Sequence, residues 1–424
     1  MSLNRREFVK WMSAGAGVAA VAGCAGAGSG PSVGRVVVIG AGYSGATAAK
    51  YIRMWSPNIE VTLIEREGQF ISCPLSNLVL GGSKTLADIT VGYGGLGKYG
   101  VNRVRDEAVS VDPVKREVRL ASGATLGYDR LIVAPGIDFQ YDTLPGLKSA
   151  EAQGRVLHAW KAGAQTVALR KQLEAMPDGG VYALHIPKAP YRCPPGPYER
   201  ACQVAHYFKT AKPKSKVLIL DANEDVVSKK GLFMAAWNGA YKGIVEYRPN
   251  SELEDVDAGT LTAKLQFGNV KADVLNVVPP HRAGNIAQST GLITANNRWC
   301  GVNWLTMESV KVPGVHVLGD ATLSAQVMPK SGHMANQHAK VCAAAVIALI
   351  KNEPVNPQPV MINTCYSFID DKNVVHVASV HTYDATDKTM LPVKGAGGLS
   401  DKANELEGAY AMSWSKNIWA DMLA

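Results

Sequence analysis

Gly34-Arg35-Val36-Val37-Val38-Ile39-Gly40-Ala41-Gly42-Tyr43-Ser44-Gly45 is the stretch that decides the fold. The apolar run ending at Ile39 reads as a buried strand, and a helix is expected beyond the glycines to about Arg53. Ile59 to Glu65 reads as the next strand, which makes a βαβ unit and therefore a parallel sheet. Gly40, Gly42 and Gly45 would allow a tight turn, close approach of a pyrophosphate and close helix–sheet packing. Glu65 follows Gly45 by twenty residues. At a strand end its carboxylate would accept hydrogen bonds from an adenosine ribose. The segment is a dinucleotide cradle.

Two more segments favour FAD over NAD in that cradle. Leu131-Ile132-Val133-Ala134-Pro135-Gly136 is a strand entering a tight turn and resembles the second FAD contact of two-dinucleotide flavoproteins, with Ala134 and Gly136 at the contact. Gly319-Asp320-Ala321 follows the strand Val315 to Leu318 and resembles their third contact, which implies that the Asp320 side chain meets the ribityl and pyrophosphate end.

A second unit opens with the strand Gly180 to Ile186 and continues through a helix after Pro197 to the strand Lys216 to Asp221. Its loop breaks the pattern, reading Cys193-Pro194-Pro195-Gly196-Pro197-Tyr198-Glu199. Prolines offer no N–H to a phosphate, and a cysteine occupies space a glycine would leave open. This domain is not expected to hold NAD(P)H. A helix is expected over about 158–175. Val274 to Val278 ends in Pro279-Pro280, where the chain returns to the first domain, and His333 to Lys351 forms a long helix. Strands and a Trp-containing tail follow from about residue 360.

Composition sets the outer limits. The chain has 424 residues, 47% hydrophobic and 19% charged, enough for two or three domains. After the first thirty residues no apolar run is long enough to span a membrane. Asn4-Arg5-Arg6-Glu7-Phe8-Val9-Lys10 and the weakly apolar run behind it resemble a twin-arginine export signal. Val21-Ala22-Gly23-Cys24 has the form of a lipoprotein box that would lipidate Cys24, with cleavage after Ala27 as the alternative. Either route puts the mature protein in the periplasm, where disulfides persist. The formal charge is +8, of which residues 1–30 carry +2. With no dense basic run interleaved with aromatics, nucleic acid is not an expected partner. The nine histidines show no metal-ligand spacing.

Taken together, Ser72-Cys73-Pro74-Leu75-Ser76-Asn77, the Cys193 segment, Asn363-Thr364-Cys365 and Met328-Pro329-Lys330-Ser331-Gly332-His333 resemble the flavoprotein subunit of flavocytochrome c sulfide dehydrogenase. The resemblance runs from about residue 34 onward. It implies an α/β fold with two Rossmann-like three-layer domains of a two-dinucleotide flavoprotein and a C-terminal α+β interface domain. The expected division is a signal at 1–30 and an FAD-binding domain at 34–146 and 281–358. An NAD-domain-like unit carrying a redox cysteine follows at 147–280, and a domain at the flavin site and partner interface at 359–424.

By that resemblance Cys73 joins FAD through a thioether, and Cys193 pairs with Cys365 in a redox disulfide beside the flavin. An extended chain of eight residues spans roughly 26 Å, enough to reach from ribose to isoalloxazine. Glu199 matches an acid acting as base near the disulfide. Trp419 matches a tryptophan stacking near the flavin, and Lys330 would sit at the flavin N1–O2 edge. The residue before a proline is expected to be extended, so Cys193 should be extended just before a helix start that favours its thiolate. Cys202 and Cys342 read as core thiols, and Cys300 has no assigned role. The implied activity is periplasmic oxidation of sulfide, with electrons leaving to a c-type cytochrome subunit, since the chain has no Cys-x-x-Cys-His haem site. Alternatives are a sulfide:quinone oxidoreductase-like enzyme, an NAD(P)H-dependent disulfide reductase and a non-catalytic electron or sulfur carrier.

Overall fold

The computed structural model describes residues 31–424, so the export-signal and Cys24 readings lie outside the described residues. The first domain begins with β1 (Gly34–Ile39), α1 (Gly45–Trp55), β2 (Ile59–Ile64), α2 (Ser76–Gly81), β3 (Asn102–Val104) and β4 (Arg130–Val133). A helix α3 (Ala164–Ala175) leads into the second unit: β5 (Val181–Ile186), α4 (Gly196–Ala211), β6 (Lys216–Asp221), α5 (Lys230–Asn238), β7 (Val245–Arg248) and β8 (Val274–Val277). The chain then returns through β9 (Val302–Asn303), β10 (Glu308–Ser309), β11 (Val315–Val317) and α6 (Gly332–Lys351). It ends in β12 (Val360–Phe368), β13 (Val374–Asp384), β14 (Thr389–Leu399) and α7 (Glu405–Leu423).

The first sheet has seven strands in the order β9-β10-β11-β4-β1-β2-β3. β1 lies inside the sheet, between β2 and β4 and parallel to both. Val36, Val37, Val38 and Ile39 are all buried, packed in one core with residues of α1 and α6 and with Val118 and Leu120 of a three-stranded antiparallel sheet. Each such side chain contributes about 1.5–3 kcal/mol. The second sheet, β7-β6-β5-β8, is parallel throughout, and β12-β13-β14 form an antiparallel third. The molecule is therefore mixed α/β, with two parallel-sheet units and an antiparallel sheet capped by α7. The expected helix over 158–175 starts only at Ala164. Leu157 instead bridges to Asn276 at the edge of β8, and Gly163 (φ +148) breaks the chain before α3.

Two sets of contacts join these units. α7 packs back on the first domain: the Lys50 ammonium donates to the carbonyls of Ala420 (3.0 Å) and Ala424 (2.6 Å). Asp421 accepts from Tyr51 and Asn336 and pairs with Lys340 at 3.0 Å. Between the sheets, the fully buried Arg200 of α4 spends its guanidinium on three segments. Nε donates to Asn77 Oδ1 (3.1 Å), and the two terminal nitrogens donate to His158 O, Asn276 Oδ1 and Ala159 O. It also lies 4.8 Å from the Trp160 ring centroid. Removing it strands buried acceptors at about 1–3 kcal/mol each. Arg200→Met should therefore cost several kcal/mol in denaturant unfolding; a loss within ordinary surface-mutant range would show that the clamp carries little.

Candidate functional site

The elements meet around a cavity of about 1050 Å³. Gly40, Gly42, Glu65, Gly136 and Asp320 line it together with Cys73, Cys193, Cys365 and Glu199. The glycine turn, the second and third contacts and three widely separated cysteines thus converge on one space.

The turn is built as its glycines require. Gly40 has φ +91, and a Cβ there would sit 2.5 Å from Ala134 O. A Cβ on Gly45 would sit 1.8 Å from Gly40 O, so that glycine sets the helix–strand approach. Gly42 faces nothing within 4 Å. Its role is to leave room on the cavity side. Glu65 accepts from Ala41 N (2.8 Å) and Glu67 N (2.9 Å) and still lines the cavity. Asp320 is partly buried, its enclosed Oδ1 has no partner, and desolvation raises its pKa. An orphaned acceptor beside a glycine cradle fits the sugar and phosphate chain of a dinucleotide.

At the sulfur end, Cys73 lies between β-structure and α2, its Sγ 3.9 Å from Trp160 O. Cys193 and Cys365 stand as free thiols in the structure. Asn363 Nδ2 donates to Cys365 Sγ at 3.4 Å. Glu199 is buried, which excludes a solvated helix carboxylate; its oxygens accept from Asn77 Nδ2 (2.8 Å) and Phe368 N (2.9 Å). Burial raises its pKa, against the lowering effect of those two hydrogen bonds.

Three expectations need correction. Cys193 is not extended: it has φ +59, in the left-handed region. There its N–H reaches Lys330 O (2.8 Å) and its carbonyl accepts from Gly196 N (2.9 Å). The proline rule disfavours the right-handed helical region but leaves this turn available. Nor does the helix start make Cys193 a thiolate. Burial pushes the thiol well up, and neighbouring Cys365 and Glu199 add to the effect. Finally, Trp419 does not line the cavity. Its indole N–H donates to Tyr43 OH (3.2 Å), and Trp414, on another face of α7, is the tryptophan of that helix that lines the cavity. Lys330 lines the cavity, but its ammonium donates to Asp320 O and Thr322 O and lies 3.7 Å from the Trp299 centroid. Burial lowers it to about 7.

Cys202, Cys300 and Cys342 are fully buried in apolar clusters. Sequence reasoning missed Arg200 and Lys229. Both sit in ordinary polar contexts, and only tertiary packing reveals their burial.

The second unit's nucleotide site is closed from within. Asp221 ends β6, where a ribose-binding acid would stand. Its carboxylate already accepts from Tyr198 OH (2.8 Å), Tyr247 OH (3.1 Å) and both nitrogens of Asn223. The loop before α4 offers prolines at 194 and 195, and Pro197 stands in the first turn of the helix.

These features define a flavoprotein of the two-dinucleotide-domain class. Among solved structures, the sulfide:quinone oxidoreductase of Aquifex aeolicus superposes with a TM-score of 0.73 at 18% identity, covering 92% of this chain and 91% of that one. Residues 34–173 match the pyridine nucleotide-disulphide oxidoreductase family. Residues 166–279 match the central region of the sulfide dehydrogenase [flavocytochrome c] flavoprotein chain, and 357–423 the flavocytochrome c sulphide dehydrogenase flavin-binding family. The flavoprotein chain of Chlorobaculum thiosulfatiphilum is 53% identical over 45 residues, 11% of this chain and 94% of that sequence. This chain belongs to the flavocytochrome c sulfide dehydrogenase flavoprotein family. It is also 24% identical to the mitochondrial sulfide:quinone oxidoreductase of Mus musculus over 308 residues. That match spans 68% of this chain and 65% of the mouse protein's length.

Gly42 and Gly45 separate cofactor from fold. Gly42→Ala should keep the thermal midpoint and lose at least about tenfold in flavin affinity, while Gly45→Ala should destabilise the domain itself. Full flavin retention in Gly42→Ala made in a Cys73→Ser background, where no thioether can hold the cofactor, read from the visible absorbance per protein, would refute the cradle.

Proposed function

We propose that the protein is a periplasmic, FAD-dependent sulfide dehydrogenase working through a Cys193–Cys365 disulfide. One observation carries the reading. Cys193, Cys365 and Glu199 line the same cavity as the glycine cradle, while the second unit's nucleotide loop is closed. Hydride from NAD(P)H has no seat there, and sulfur stands in its place.

The chemistry follows from those residues. Hydrosulfide attacks one sulfur of the disulfide; that S–S bond breaks and a new one forms to the incoming sulfur. One cysteine becomes a persulfide, the other a thiolate that holds the negative charge hydrosulfide brought. Glu199, with its raised pKa and two hydrogen-bond donors, is suited to take up the substrate proton and release it. The cradle, Asp320 and Cys73 would hold FAD, which supplies a two-electron acceptor able to give up electrons singly. A thioether at Cys73 would keep the cofactor from being lost outside the cell.

The electron acceptor in this reading is a c-type cytochrome subunit, as the name of the matched family implies. The likeness to sulfide:quinone oxidoreductases favours quinone as the second reading. Among the described residues no helix is long and apolar enough to cross a membrane.

The test is anaerobic. Stoichiometric sulfide should bleach the flavin, NADH should not, and Cys193→Ser should lose at least about a hundredfold in bleaching rate. Bleaching by NADH alone would overturn the reading. Turnover with cytochrome c but not a soluble quinone would select the first acceptor, and the reverse the second. Flavin should also migrate with the denatured wild-type chain on a gel and be absent from Cys73→Ser; flavin freed from wild type by denaturation would rule out the thioether.

A further inference from the structure

Lys229 has no part in the scheme above, yet it is among the least expected side chains in the molecule. It sits immediately before α5 at φ +55, where a lysine carries backbone strain. It is 5% exposed. All three ammonium donors are spent within the β12–β13 sheet: Nζ reaches Cys365 O (2.7 Å), Ser367 Oγ (2.8 Å) and Val375 O (3.2 Å). The Phe233 ring centroid lies 6.0 Å away. Among the described residues it has no carboxylate ion-pair partner. A buried cation without a counter-charge costs several kcal/mol, and proteins rarely keep one unless an anion forms beside it.

The charged and titratable groups around it come from four elements. Cys365 on β12 has the largest effect, followed by Glu199 on α4 and Cys193 in the turn before it, with Glu407 of α7 further out. Glu199 is committed to Asn77 and Phe368 N. The group that alternates between neutral and anionic in the cycle is the sulfur. An intact disulfide offers Lys229 no negative charge, and its opening creates one.

We propose that Lys229 is a positioning residue whose ammonium, anchored to the Cys365 carbonyl and Ser367, supplies the counter-charge for anionic sulfur at Cys365. This rests on the disulfide reading above. Attack on Cys193 leaves a thiolate at Cys365; attack on Cys365 leaves a persulfide anion there. Lys229 serves both cases, because it approaches from the main-chain side and does not block the sulfur. Burial lowers its own pKa to about 8, so it also gains a proton more readily once the anion is present. Both Lys229 and Asn363 pull the Cys365 thiol down against its burial.

The test reads the thiols directly. The flavin-loaded protein is reduced with dithiothreitol and alkylated with iodoacetamide over a pH series, and Cys365 and Cys193 are followed by peptide mass spectrometry. In wild type the titration midpoint of Cys365 should lie below that of Cys193. Lys229→Gln, which keeps a hydrogen-bond donor and removes the charge, should raise the Cys365 midpoint by about one unit, a tenfold slower alkylation below it. Lys229→Met should do at least as much. An unchanged Cys365 midpoint in Lys229→Gln would reduce the lysine to a structural strut and overturn the proposal. If neither variant folds, the wild-type order decides, and a Cys365 midpoint above that of Cys193 overturns it. The assay contains no sulfide. Failure of sulfide to bleach the wild-type flavin would count against the enzyme reading and leave the Lys229 result standing.

Discussion

The site depends on a single guanidinium. Arg200 ties Asn77, on the short helix behind Cys73, to the main chain at 158–159 and to Asn276 on the second sheet. Asn77 in turn holds Glu199, and Glu199 holds the main chain at Phe368, three residues past Cys365. Each link is a hydrogen bond to a buried group, so each is costly to break singly and of modest worth alone. The result is a connected polar frame. It fixes three chain segments, remote in sequence, to the wall of one cavity.

The second unit has the strands, crossover helix and strand-end acid of a nucleotide-binding domain but spends its polar groups within the fold. Asp221 is turned inward onto two tyrosines, and the turn before α4 is tightened around Cys193 in a left-handed conformation. The main-chain N–H of that cysteine is spent on Lys330 O, a residue of the first domain. The turn thus acts as a seam between domains.

Much of the fold could be read from the chain because its signals are local. Three valines and an isoleucine before a glycine turn, followed by an acid at the next strand end, need no tertiary knowledge. The cavity's membership was legible only in part. Cys193, Cys365 and Glu199 came from resemblance, since no spacing connects residues so far apart. Cys193 was expected extended because the proline rule speaks to steric clash and not to where its N–H must find an acceptor. The choice between Trp414 and Trp419 depends on the phase of α7 against the cavity, which a tail with aromatics on two faces does not specify. Lys229 stands beside Lys230 in the sequence and reads as a solvated pair; only the closure of β12 over it makes it a buried charge.

The return of α7 to α1 couples stretches of chain that lie far apart in the sequence. Lys50 and Tyr51 belong to α1, yet their partners are Ala420, Asp421 and Ala424. The nucleotide cradle is built from local contacts, but the helix behind it is completed only by residues 370 positions further on. Loosening α7 would therefore leave a lysine and a tyrosine on α1 without their bonds, so a disturbance at the far end of the fold is felt directly behind the cradle.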